Sequence, residues 1–181
     1  MKEKPEDPVE QQIRGYIYDI CALSQEYLQK IKEYLKLLND FLNLKACERE
    51  GSKTRVILIL SQYGTKEDLE KSVDEHFERT KNFSRKLNQL QEIINGIILD
   101  GSLQCVDCKG TGRITKMKYL REGGVVTPFF DSSECPMCKG VGKVRLSEAQ
   151  KNYLTMATRL VGVINELGTN FLNTLTGLIS R

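Results

Sequence analysis

Four of the six cysteines in this chain fall into two copies of one octapeptide. Cys105-Val-Asp-Cys108-Lys-Gly110-Thr-Gly112 and Cys135-Pro-Met-Cys138-Lys-Gly140-Val-Gly142 both read CxxCxGxG, and each is followed by a basic and then a β-branched residue, Arg113-Ile114 and Lys143-Val144. A pair of thiolates two residues apart supplies two ligands. Two such pairs fill the tetrahedral sphere of a structural zinc ion at roughly 2.3 Å per sulfur. The expectation is therefore one Zn2+ per chain, held by Cys105, Cys108, Cys135 and Cys138. The glycines allow a tight turn with positive φ after each second cysteine, bringing backbone N–H groups toward the sulfurs.

These thiols have two other possible uses. A redox dithiol of the thioredoxin kind wants a βαβ context that this chain lacks, and disulfides want an oxidising compartment. Thiol oxidoreductase is accordingly the third reading of function. Other catalysis has little to work with. Four thiolates leave no open metal position, His76 is the one histidine, and neither a nucleophile elbow nor a phosphate loop is present, so the chain reads as non-enzymatic.

The duplicated CxxCxGxG resembles the cysteine-rich zinc module of DnaJ-type chaperones, and is similar to modules in a chloroplast chaperone called bundle sheath defective, in the anti-TRAP regulator and in phage late antitermination Q proteins. The resemblance covers about a quarter of the chain and rests on the motif positions quoted above. DnaJ-type modules carry four such knuckles and two zinc ions; here there are two knuckles, which implies at most one site. His76 is followed by Phe77-Glu78, so the His-Pro-Asp tripeptide of a J domain is absent and stimulation of a heat-shock ATPase is not implied.

The elements that must position the knuckles follow from periodicity. Between the motifs, Arg113 to Leu120 and Val125 to Phe130 predict two strands joined by a turn over Arg121-Glu-Gly-Gly124. This hairpin carries Lys116, Met117, Lys118, Tyr119, Arg121, Phe129 and Phe130. Basic residues interleaved with aromatics suit either peptide or nucleic acid, and these seven are the candidate partner-binding residues. The plain alternative is that the aromatics cover the small module's own core.

Helices are expected on either side. Pro8 opens the first, to about Ala46, with Ile13, Ile17, Ile20, Ser24, Tyr27, Ile31, Tyr34, Leu38 and Phe41 at alternating steps of four and three. Leu28, Leu35, Leu37, Leu42 and Leu44 widen its stripe beyond what a narrow bundle buries, so the chain is expected to self-associate through them. The run Arg55 to Leu60 suits a buried strand or a short helix; the helix, ending at Gly64, satisfies its own backbone. Thr65 caps the next, whose seam is Leu69, Val73, His76, Thr80, Phe83, Leu87, Leu90, Ile94 and Ile97, and Gly101 stops it. Ser147-Glu-Ala-Gln150 forms a capping box for the last, carrying Leu154, Ala157, Leu160, Val161, Ile164, Leu167, Phe171, Leu175 and Leu178 and ending at Arg181. Buried positions are expected for Cys21 and Cys47.

Composition adds boundaries. Hydrophobic residues make up 40% and charged residues 28%, the balance of a charged helical protein rather than a disordered or membrane one. The segment Met1 to Glu10 has no apolar stretch of the signal-peptide kind, and no run of about eighteen apolar residues occurs, so the reading is cytoplasmic with no membrane partner. Net charge is +3, yet residues 101–146 hold eight Lys/Arg against four acids. The basic excess sits in the head.

These readings combine into a mainly α protein: a long antiparallel helical bundle or coiled coil with a small inserted β-hairpin zinc module, divided as 1–100, 101–146 and 147–181. The expected function is an interaction or scaffold protein whose zinc head docks a protein partner and whose helices associate into a homo-oligomer. A nucleic-acid-binding transcription regulator using the basic head is the alternative.

Overall fold

The computed structural model describes residues 7–122 and 124–179. The charged start before Asp7, Gly123 of the expected turn and the terminal Arg181 lie outside them, as does the side chain of Leu178. About 70% of the described chain is helical, and the fold is mainly α. The helices are α1 (Pro8–Arg49), α2 (Lys53–Tyr63), α3 (Lys66–Asp100) and α4 (Glu148–Ile179). Between α3 and α4 come β1 (Ser102–Gln104), β2 (Arg113–Glu122), β3 (Val125–Glu134) and β4 (Lys143–Arg145). By its contacts the chain forms two compact units.

One unit joins Tyr18–Glu92 with the residues from Ala157 onward. Its core gathers Tyr34, Leu38, Phe41 and Leu44 of α1, Leu69 and Val73 of α3 and Leu172 of α4. Each fully buried side chain of this size contributes about 1.5–3 kcal/mol. Val56, Ile59, Leu60 and Tyr63 of α2 pack against this cluster at helical spacing, which settles the ambiguous apolar run as a helix. Gly64 ends it, donating its N–H to Leu60 O at 2.8 Å. Polar groups pair along the contact of α3 with α4: the buried Ser84 Oγ donates to the buried Asn165 Oδ1 at 2.6 Å, Asn165 Nδ2 donates outward to the exposed Asn88, and the half-buried Gln91 donates to Thr158 O at 3.2 Å. A buried polar layer of this kind fixes helix register, because any slip would strand the donors.

The seam of α1 is observed as expected, with Ile13, Ile20, Ser24, Tyr27, Tyr34, Leu38 and Phe41 buried and Ile17 and Ile31 half-buried. Thr65 closes a reciprocal cap with Asp68, and Ser147 does so with Gln150. Three expectations need correction. Cys21 is exposed, while Cys47 is buried. Of the additional α1 leucines, Leu44 is buried and Leu35 and Leu37 are half-buried, leaving only Leu28 and Leu42 exposed. On α4, Leu160 and Leu167 face solvent, and the buried stripe is Leu154, Thr158, Val161, Asn165, Gly168 and Leu172. That helix is apolar on two sides, so periodicity alone could not say which side was core.

The other unit joins the chain up to Ile17 with Ile93–Met156 and contains all four strands. Asp7 accepts a hydrogen bond from Val9 N–H at 2.9 Å at the start of α1. Two separate two-stranded antiparallel sheets form, β1 with β4 and β2 with β3. The short β1–β4 pair, Leu103 opposite Val144, brackets the head at its base. Lys143 Nζ reaches Asp100 Oδ2 at 2.8 Å, tying β4 to the end of α3.

Candidate metal centre

The two knuckles close on each other as near copies. Cys105 and Cys135 sulfurs lie 3.7 Å apart and Cys108 and Cys138 sulfurs 3.6 Å apart. All four sulfurs fall within 4.8 Å of one another, and all four cysteines are buried. A tetrahedron with bonds of about 2.3 Å has edges of about 3.8 Å, so this spacing fits one ion at the centre. It does not fit disulfides, whose sulfurs lie about 2.05 Å apart, and the short contacts join first cysteine to first and second to second across the motifs. Four cysteines so arranged can hold a metal ion.

The backbone repeats the symmetry. Cys105 N–H donates to Gly142 O and Cys135 N–H to Gly112 O, each at 2.9 Å. Gly112 N–H donates to Cys108 Sγ and Gly142 N–H to Cys138 Sγ, each at 3.2 Å. Both donors sit at positive φ, 74° and 79°, and a Cβ on Gly112 would come within 2.1 Å of Gly140 O, one on Gly142 within 2.3 Å of Gly110 O. Thus the last glycine of each motif abuts the first glycine of the other, a close approach that only glycine allows. Lys109 and Lys139 both take φ of 50°, a conformation that costs a lysine about 1–2 kcal/mol. Nothing in the residue type signals that conformation.

Charge in the cluster is unevenly shared. Burial pushes the Cys105 thiol up to about 11. At Cys108 burial acts in the same sense but is outweighed by the Gly112 N–H and by donation from Cys138 and Cys105, bringing the thiol down to about 7. Four thiols this close cannot all ionise without a cation among them; a bound metal would supply that charge.

Beyond the knuckles the hairpin is longer than expected. Arg121 and Glu122, placed in the turn by the sequence reading, are ladder residues, with Arg121 opposite Val126 and Glu122 opposite Val125. The core of the head is small: the four cysteines with Ile114, Met137 and Val144. Met117, Tyr119, Phe129 and Phe130 take no part in it and are 53%, 62%, 40% and 76% exposed. Lys116, Lys118 and Arg121 are exposed as well, Lys118 in an ion pair with Asp131. His76 of α3 is half-buried and donates from Nδ1 to Ser72 O at 2.9 Å.

The class defined by fold and site is a mainly α protein carrying a cluster of four buried cysteines able to hold a metal ion. No protein family, curated protein or solved structure matches the chain.

Proposed function

We propose that the head holds one structural Zn2+ and that the protein is a non-enzymatic interaction protein whose hairpin docks a polypeptide partner. The DnaJ-type resemblance of the motif points to an extended or nonnative chain as that partner. One observation carries the reading. Strand pairing sets Met117 opposite Phe130 and Tyr119 opposite Pro128, with Val126 next along, so these side chains share one exposed face. Lys116 and Lys118, adjacent in sequence to the aromatics, point to the other face, where Asp131 lies opposite Lys116 and pairs with Lys118. Phe129, opposite Lys118, lies on that lysine face, while Arg121, opposite Val126, lies on the aromatic one. A mostly apolar face with both lysines turned away suits a polypeptide better than a phosphate backbone, which needs several cations beside the stacking rings. Each hairpin strand also has an outer edge, since the sheet is two-stranded, and an extended peptide can add there.

Metal analysis should find one zinc per chain. A reduced, carboxymethylated globular protein serves as the unfolded probe, with a single-stranded DNA oligomer as the competing ligand. Tyr119→Ala or Phe130→Ala should weaken polypeptide binding by about 1–3 kcal/mol with zinc content unchanged, and the lysine changes should mainly slow association. Binding to DNA in preference to polypeptide, with an affinity that falls steeply as salt rises, would select the nucleic-acid regulator instead. Normal polypeptide binding by a folded, zinc-loaded variant with all seven side chains truncated would reduce the head to a structural clip.

A further inference from the structure

We propose that α4 carries a second, outward seam through which two copies of this chain pair antiparallel. On the side of the helix away from the buried stripe, Tyr153, Met156, Leu160, Val163 and Leu167 recur at steps of three and four. They are 62%, 69%, 55%, 54% and 65% exposed. A solvated helix face has no use for a continuous apolar row at coiled-coil spacing. The five expose about 600 Å² per chain, so a matched pair buries about 1,200 Å², the lower bound for a specific interface.

The charges beside the row choose the occupant. Arg159 and Glu166 precede Leu160 and Leu167, so they lie along one edge of the seam, seven residues apart and of opposite sign. Both are exposed, and among the described residues no ion pair engages either. With two helices antiparallel, Leu160 packs opposite the second copy's Val163, and Met156 opposite its Leu167. In that register Arg159 faces the second copy's Glu166, and by symmetry the pair occurs twice. A parallel pair would set Arg159 against Ile164 and Glu166 against Phe171, and neither charge would find a partner. The edge is self-complementary only head to tail, which commits the surface to a second copy of this chain. The inference does not depend on the metal or on the hairpin. It also moves the expected self-association from the α1 leucines to α4.

Sedimentation equilibrium on the full chain tests it. A concentration-dependent dimer is expected, and Leu160→Glu with Val163→Glu should give a monomer of unchanged far-ultraviolet circular dichroism, since both positions are exposed. Arg159→Glu or Glu166→Arg alone turns two attractions into two repulsions and should weaken association at least about tenfold. The double swap should restore it. A wild-type monomer at every concentration, whatever else covers the row, overturns the proposal, as does a dimer indifferent to the glutamates. Single swaps without effect, or a double swap that fails to rescue, overturn the antiparallel register.

Discussion

The glycine contact between the knuckles offers a measurement in which geometry alone sets the expected loss. Gly124, at φ 83° with nothing within 4 Å of an added Cβ, is the control. Gly124→Ala should cost only the left-handed backbone penalty of about 1–2 kcal/mol. Gly112→Ala has the same penalty at φ 74°, but its Cβ would lie 2.1 Å from Gly140 O, a backbone atom with no flexible end to swing away. The knuckles must then part. Parting them breaks the Cys135 N–H bond to Gly112 O and draws the Gly112 N–H off Cys108 Sγ. An ordinary hydrogen bond is worth about 1 kcal/mol and one to a charged acceptor about 1.5–3 kcal/mol, so with the backbone penalty the total comes to about 3.5–6 kcal/mol. At 1.4 kcal/mol per decade this is roughly a thousandfold in metal affinity. Gly142→Ala, whose Cβ would lie 2.3 Å from Gly110 O, should behave as a replicate. The assay is competition for Co2+ followed by thiolate charge-transfer absorption, with helical content checked in parallel. If Gly112→Ala and Gly124→Ala bind equally well, the close-approach argument fails.

Further predictions concern the helices. Gly168 packs on Tyr27, whose hydroxyl oxygen would lie 2.2 Å from an added Cβ, so Gly168→Ala should destabilise by about 1–3 kcal/mol in denaturant titration. Gly96, with open space around it, should instead gain about 0.5–1 kcal/mol as alanine, and a reversal of that order would contradict the packing. The Tyr63 phenol is pushed up to about 12 by burial and by its hydrogen bond to Asp40. Its protonated form is the one favoured on folding, so this stabilisation is complete below pH 10, the ordinary value, and is lost as pH rises through about 12. Comparing stability against pH in the wild type and Tyr63→Phe should show a steeper alkaline loss in the wild type; parallel curves would refute the link.

Much of this was legible in the chain itself. The paired CxxCxGxG motifs specified the four sulfurs, because knuckle chemistry is local and its spacing is written in consecutive residues. The α1 seam and the caps at Thr65 and Ser147 were readable for the same reason: a helix interior follows its period, and a cap needs only its neighbours three residues on. Tertiary structure decided what depends on partners distant in sequence. It made Arg55 to Leu60 a helix, since only packing against α1 and α3 separates the two uses of a β-branched run. It chose Thr158, Asn165 and Gly168 as the core side of α4, where polar pairing with α3 and the bulk of Tyr27 outrank apolarity. It also turned Lys109 and Lys139 to positive φ, and left the hairpin aromatics exposed by filling the head with sulfur. The sequence carried the four sulfurs and the periods. Which of two apolar faces goes inside is a property of the assembled neighbours, because burial is defined by what lies opposite.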